Sequence, residues 1–286
     1  MKVIDFRVRP PLKGFLSHFI YKSHTQDRLD ADQQSLPVLH RNRHESKSAL
    51  ERSLDLFIEE LDRAKIDHAV VLGRDSSENY GASDNGEIAD FCASSQGRFS
   101  GFAGISSTDT KKGYQEIRKI RQRGLLGACF DSGFSNIHQD DPSLWPLYDA
   151  VAQEGLPLVL TASMLLGEDM TYAHPDRVRT VAKRYPQTKI IVAHACWPWT
   201  TLACAIAYEN PNIYLLPDCY MNTNAPGTSD YVHAANTFME DRMLYGSAYP
   251  VRPLADSLQV FNSLPLTETA RRRSLWDNAA GILNIS

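Results

Sequence analysis

Two arginines on one face of a short strand are the first residues of this chain whose type and spacing suggest chemistry. Val3 to Arg9 reads as a strand ending at Pro10-Pro11. Strand residues alternate faces, so Ile4, Phe6 and Val8 fall on one side and Val3, Asp5, Arg7 and Arg9 on the other. Arg7 and Arg9 stand about 7 Å apart along the backbone, and Asp5 alone cannot neutralise both. The pair suits a carboxylate, dicarboxylate or phosphate held by forked hydrogen bonds. The competing reading is a structural network with Asp5 and other carboxylates.

His194 closes the apolar run Lys189-Ile-Ile-Val-Ala and precedes Cys196-Trp197-Pro198-Trp199. A histidine there is a candidate acid–base group. Asp218 and Asp131 are the carboxylates available to orient it or to act as a second base, unless each only caps the turn that follows it. Arg74 is a further candidate for substrate binding, with an ion pair to Asp75 as the alternative. Trp197, Tyr220 and Tyr249 read as pocket walls, because aromatic side chains commonly line ligand pockets.

These residues become neighbours only if the strands that carry them share one sheet. Short apolar strands are expected at Val3–Arg9, His68–Gly73, Phe99–Ile105, Leu126–Phe130, Pro157–Thr161, Lys189–Ala193, Asn212–Leu216 and Arg242–Tyr245. Helices are expected at Ser48–Ala64, Asp84–Ser95, Lys112–Arg123, Pro142–Glu154, Pro175–Tyr185, Trp199–Tyr208, Ser229–Glu240, Leu254–Leu264 and Thr267–Leu283. Strands that alternate with helices imply a parallel sheet, and eight such units imply a single (β/α)8 TIM barrel spanning 1–286. The listed candidates then fall at the C-terminal ends of strands, where barrel active sites lie. The polar stretch 12–47 is too long for an ordinary connection and reads as a lid or loop insertion. Its His18, His24, His40 and His44 are too irregularly spaced for a metal cluster and read as surface histidines; Arg28, Arg41 and Arg43 accompany them.

Composition narrows the class of function. The chain has 286 residues, 43% of them hydrophobic, and a formal net charge of −4. No basic run marks a nucleic-acid surface; Arg271-Arg272-Arg273 reads as a solvated helical face. No apolar run approaches the roughly 20 residues of a membrane span, and no signal-peptide pattern follows Met1. The five cysteines lack zinc-like pairing and read as reduced, mostly buried thiols of a cytoplasmic protein. The expected partner is a small anionic molecule. A homo-oligomer is left open.

Several segments resemble the amidohydrolase superfamily, in order along the whole chain. Asp5-Phe6-Arg7-Val8-Arg9 is similar to its Asp-x-His-x-His opening, and Ile191-Val-Ala-His194-Ala-Cys-Trp-Pro198 to its strand-six histidine motif. Asn210-Pro-Asn-Ile-Tyr-Leu215 resembles the entry to strand seven, and Arg242 to Pro250 the strand-eight Gly-Ser-Asp-Tyr-Pro motif. Asn278 to Leu283 is similar to the closing helix. The branch resembled is amidohydrolase 2, which contains metal-dependent decarboxylases and hydratases as well as lactonases. Asp-Phe-Arg-x-Arg-Pro-Pro further resembles a small group of uncharacterised barrel proteins within it. The resemblance places Arg7, Arg9, Thr161 and Ala248 where the family has metal ligands, so that only His194 remains. Zinc sites use about three or four protein ligands, and a guanidinium is a permanent cation. The implied enzyme is a metal-independent hydrolase, lactonase- or amidohydrolase-like, with a lyase as the other possibility. Arg7 and Arg9 would clamp a carboxylated substrate and His194 would serve as acid–base. The alternatives are a non-catalytic anion-binding protein, or a metal-dependent decarboxylase or hydratase with atypical ligands and a divalent metal at His194.

Overall fold

The structure is a computed structural model that describes residues 1–22, 46–76 and 80–286. Of the 12–47 stretch only its ends are described; His24, Arg28, His40, Arg41, Arg43 and His44 lie outside the described residues. His18 is buried, against the expectation of a surface histidine.

The near-continuous apolar runs form strands buried on both faces, as parallel strands covered by helices must be. They are β1 (Ile4–Val8), β2 (His68–Leu72), β3 (Phe99–Gly104), β4 (Gly127–Phe130), β5 (Leu158–Thr161), β6 (Ile190–Ala193) and β7 (Ile213–Leu216). All pair in parallel, in the order β1-β2-β3-β4-β5-β6-β7. Alternate residues divide the core into two layers. Ile4, Phe6, Val70, Leu72, Phe102, Val159 and Ile191 pack together with the C-terminal helix residues Ile282 and Leu283. Val71, Ala103, Phe130, Leu160, Val192 and Leu215 pack instead against the surrounding helices, through Phe57, Ile88, Ile117, Leu147, Val178 and Ala203.

Two expectations are corrected here. Among the described residues the sheet has seven strands rather than eight. The segment 242–249 does not form a ladder: it pairs only through isolated bridges, Met243 with Leu215 and Tyr249 with Val8, and Ala248 between them takes a left-handed conformation (φ 59°). It still reaches both edges. Leu244 N–H donates to Leu215 O (2.9 Å), while Phe6 N–H and Arg9 N–H donate to Tyr245 O and Tyr249 O (both 3.0 Å). The strict alternation expected of β1 also fails, since its register slips between Asp5 and Val8. Val8 therefore joins the outer layer, away from Ile4 and Phe6.

Helix limits follow local chemistry. The expected helix over 48–64 divides into Lys47–Glu51 and Leu54–Ala64, because Arg52 is left-handed (φ 53°) and the Ser53 side chain caps the second piece. Asp84 caps the helix Asn85–Ser94 by accepting from Gly86 N–H and Glu87 N–H. The closing helix is interrupted by a π-turn at Arg273–Asp277. Among the described residues, no helix is long and apolar enough to cross a membrane.

Candidate active site

Because the strands are parallel, their C-terminal ends share one side, and chain order brings the candidate residues there. Arg7 lies in β1 and Arg9 just beyond it, Asp131 follows β4, Thr161 ends β5, His194 follows β6, and Arg74 and Asp218 stand two residues past β2 and β7. Arg74 depends on glycine for its entry. A Cβ built on Gly104 would lie 2.3 Å from the Arg74 backbone nitrogen, and one on Gly73 would lie 2.4 Å from Gly104 N. Only glycines let these two strand ends approach so closely.

The structure brings Arg7, His194 and Asp218 together. Asp218 Oδ2 accepts from Arg7 Nη1 at 2.7 Å and from His194 N–H at 3.3 Å. Oδ1 faces His194 Nδ1 at 2.8 Å and accepts from Cys219 N–H at 2.6 Å. Both carboxylate oxygens are thus fully engaged. With Nδ1–H donated to Asp218, the His194 Nε2 edge carries the lone pair. The backbone that aims these groups is strained: His194 (φ 65°), Ala195 (45°), Cys196 (61°) and Asp218 (44°) are all left-handed without being glycine. Such residues cost on the order of 1–3 kcal/mol each and cluster at functional sites.

A second pair lies beside the first. Arg74 Nε donates to Asp131 Oδ2 at 2.5 Å, and the Arg74 guanidinium stacks on Phe134 at 4.5 Å. The alternative pairing of Arg74 with Asp75 is not adopted; Asp75 binds Lys112. Arg7 Nε, Arg9 Nε, Arg74 Nη1 and Asp131 Oδ1 are buried with no hydrogen-bond partner. A buried group left unsatisfied costs about 1–3 kcal/mol, more when charged, so the three guanidinium donors and the Asp131 acceptor leave hydrogen-bonding capacity for a ligand.

Electrostatics sharpen the division of labour. Burial opposes ionisation of Asp131 and Asp218, but the guanidiniums outweigh it for Asp131, and His194 with Arg7 outweighs it for Asp218. Both carboxyls are held down at about 2. Burial, reinforced by Arg7 and Arg74, lowers Arg9 to about 9. Burial and Arg7 also lower His194 to about 4 despite Asp218, so the ring is neutral at neutral pH. Asp5 is pushed up to about 6 by burial, although its Oδ1 accepts from the backbone N–H of Arg7 and Ser247.

The aromatic candidates separate. Trp197 and Tyr220 stack at 4.4 Å, and Tyr220 meets the His194 ring edge-on at 5.4 Å, forming a wall beside the histidine. Tyr249 lies elsewhere, against the expectation of a pocket wall. Its hydroxyl bonds Ser48 Oγ at 2.6 Å and its ring packs on Phe57, because the bridge to Val8 turns it into the outer layer. Cys219 was read only as a buried thiol, yet its Sγ sits 3.8 Å from His194 Nδ1. Its adjacency to Asp218 at a strand end was the signal for it. A cavity of about 520 Å³ at the opposite end, lined by Leu125, Leu156, Tyr185 and Leu283, holds no acid–base pair.

A curled parallel sheet with chemistry gathered at its strand ends is the architecture of TIM-barrel enzymes. The model of the family described as Amidohydrolase matches residues 45–285, and the chain belongs to that family, within the amidohydrolase superfamily of enzymes. It is 33% identical to an uncharacterised TIM-barrel protein from Bordetella bronchiseptica, with a TM-score of 0.91 and 99% of each chain covered. It is 21% identical over 251 residues to gamma-resorcylate decarboxylase of a Polaromonas species, covering 71% of this chain and 75% of the relative. The structure of dihydroxybenzoic acid decarboxylase from Polaromonas, with bound manganese and the inhibitor 2-nitroresorcinol, superposes with a TM-score of 0.68 at 17% identity, covering 100% of this chain and 98% of the other.

The expectation of a site without cofactor is therefore corrected. A structural neighbour holds manganese, and this chain gathers its own ligand atoms: one each from His194, Asp218 and Cys219, all within 4.8 Å of one another. Counting ligands only at the family's positions, now Arg7, Arg9, Thr161 and Ala248, overlooked a thiol one residue after Asp218. Imidazole, carboxylate and thiol are donors that fit a divalent transition-metal ion.

Proposed function

We propose that this protein is a lyase that removes CO2 from a small carboxylated aromatic molecule. The observation that carries the reading is the set of buried guanidinium donors without partners, Arg7 Nε, Arg9 Nε and Arg74 Nη1. A planar carboxylate matches such forks. The names of the decarboxylase relatives support the class of substrate. The stacked Trp197 and Tyr220 offer a wall for an aromatic ring.

His194, Asp218 and Cys219 would hold a divalent ion. When bound it would supply Lewis-acid polarisation of a substrate oxygen. The chain's own residues account for the rest. Arg9 and Arg74 bind and orient the anion. Loss of CO2 leaves an electron pair on the ring carbon, which a proton must fill. That proton comes from a water held by the His194 Nε2–H edge, the hydroxide left behind passing to solvent; Asp218 sets the orientation of the ring, which stays neutral throughout.

The test is turnover of a panel of hydroxylated benzoates in D2O, followed by chromatography and mass spectrometry. The expected result is the decarboxylated arene carrying one deuterium at the vacated carbon. Absence of turnover together with absence of thermal stabilisation by any aromatic carboxylate sinks the reading. A second reading, hydrolysis of a small carboxylated ester or amide, is favoured by the neutral His194, a base ready to activate water. Panels of lactones and amides distinguish it.

A further inference from the structure

Among the described residues, His194, Asp218 and Cys219 are the group of three metal-ligating side chains that converge, and they do so between the ends of β6 and β7. Asp131, the other buried carboxylate at the mouth, is engaged with Arg74. The sulfur is held in place: Cys219 N–H donates to Asp218 Oδ1 (2.6 Å), Sγ lies 3.8 Å from His194 Nδ1, and the residue is 3% exposed. The fully buried Ala248 packs against Cys219 and Tyr220 and offers no donor.

Thiolate and imidazole suit zinc and cobalt(II), whereas manganese prefers carboxylate, carbonyl and water. We propose that the β6–β7 triad His194–Asp218–Cys219 is a thiolate-containing cation site that selects a thiophilic divalent ion, zinc or cobalt(II), over manganese. The inference rests on the reading above that these residues hold a cation, and it adds the chemical identity of the ion and the role of the thiol. An uncoordinated thiol is protonated at neutral pH. Binding must then break the S–H bond and release its proton to solvent, while the His194 proton moves from Nδ1 to Nε2. The balance is about one proton released per divalent ion bound. The fourth position stays open, as in catalytic zinc sites.

The full chain is stripped with chelator and titrated with cobalt(II) chloride alone. The expected result is a stoichiometric thiolate-to-cobalt charge-transfer absorption in the near ultraviolet, with about one proton released per ion in weakly buffered solution. Zinc displaces the cobalt and abolishes the band, and manganese binds at least about tenfold more weakly. Cys219→Ser loses the charge-transfer band, and Asp131→Asn keeps it. Cobalt bound without that band, no cobalt bound at all, or manganese bound as tightly as zinc each overturn the proposal. The outcome is separable from the functional reading. Decarboxylation without the band removes the thiolate site alone. The band without turnover of any aromatic carboxylate removes the lyase reading and leaves the site standing.

Discussion

The two buried ion pairs at the mouth, Arg7–Asp218 and Arg74–Asp131, are alike in length and burial and differ in what surrounds them. Their contacts are 2.7 and 2.5 Å, and all four side chains are at most 3% exposed. In the first pair every carboxylate oxygen is engaged, by Arg7, by the His194 ring and by two backbone N–H groups. Only Arg7 Nε is left over there, whereas in the second pair the carboxylate oxygen Asp131 Oδ1 as well as Arg74 Nη1 has no partner. The first stands on a run of left-handed residues, while Asp131 keeps an ordinary negative φ of −109°. Saturation and strain mark a group whose orientation must not change during a reaction cycle. Unused hydrogen-bonding capacity beside a fixed positive charge marks a place that a ligand completes. Under the proposed function the contrast corresponds to a proton-handling half, on β1, β6 and β7, and an anion-binding half, on β1, β2 and β4.

The largest effect expected from breaking this contrast is on the saturated half. Asp218→Asn leaves Arg7 buried without its counter-ion, which costs about 3–5 kcal/mol. It also removes the carboxylate that fixes the His194 ring, so kcat falls by about 10³. Urea unfolding and steady-state kinetics on the same preparation check both. A kcat within a few-fold of wild type would place the proton chemistry elsewhere.

Arg74→Met addresses the other half. It strands Asp131, so the stability cost is again about 3–5 kcal/mol. The kinetic signature differs: KM for the carboxylated substrate rises by about 10- to 100-fold, with kcat nearly unchanged. Equal falls in kcat and kcat/KM would show that Arg74 acts in the transition state and would erase the distinction between the halves.

Much of this arrangement was legible from residue order. Strand ends were marked by a polar residue closing an apolar run, as at His194 and Asp131. Once the alternation of strands and helices implied a parallel sheet, those residues had to share one side. The features that escaped depend on backbone detail. The slip between Asp5 and Val8 moves Val8 to the outer layer, and periodicity carries no trace of it. The segment after Arg242 meets its neighbours only at single bridges, at Met243 and Tyr249, although its sequence reads as a strand. The approach of Cys219 Sγ to His194 follows the turn at Asp218 (φ 44°, ψ −121°), which a cysteine inside an apolar segment does not announce. Which arginine pairs with which aspartate was likewise beyond reach, because the partners lie 211 and 57 residues apart in the chain.

Arg9 sharpens the comparison from the side of charge. Burial together with Arg7 and Arg74 lowers it to about 9, and its Nε is unsatisfied, so in the free protein it is a cost. Arg9→Met is expected to stabilise the unliganded fold by about 1–4 kcal/mol, and to abolish the rise in Tm that benzoate produces in the wild type. The sign agrees with linkage. A folded pKa below the ordinary arginine value means that the unfolded chain binds the proton more tightly, so the cost holds at every pH below about 9 and lifts only above it. A destabilised variant that still responds to benzoate would make Arg9 structural.

The smallest effect concerns Asp5, the third buried carboxyl beside Asp131 and Asp218, and it shows in the pH dependence of stability. Asp5 is raised by burial to about 6, so the folded protein holds its proton more tightly than the unfolded chain. Its contribution is fully present below the ordinary aspartate value of 3.8 and is lost as pH rises through about 6. Asp131 and Asp218 run the other way: held at about 2, they contribute above 3.8 and are lost as pH falls toward 2. Together the three groups place their combined optimum near the pH where the two slopes meet, about 4. Asp5→Asn can still accept from Arg7 N–H and Ser247 N–H, but it sets an amide nitrogen where Oδ2 has no partner. At acid pH, where Asp5 is a neutral acid with its own O–H at Oδ2, the amide adds one further unsatisfied donor, and the variant is less stable by about 1–3 kcal/mol. Near pH 8 the relief of a buried charge offsets it, and the two proteins converge to within about 1 kcal/mol. Chemical denaturation between pH 4.5 and 8 checks this. The readout is the difference between the two proteins, because His194, lowered to about 4, adds stability as pH rises toward 6.5 and offsets the decline in the wild type; a variant that tracks the wild type in parallel would mean that Asp5 is ionised throughout and belongs to the charge balance of the arginines.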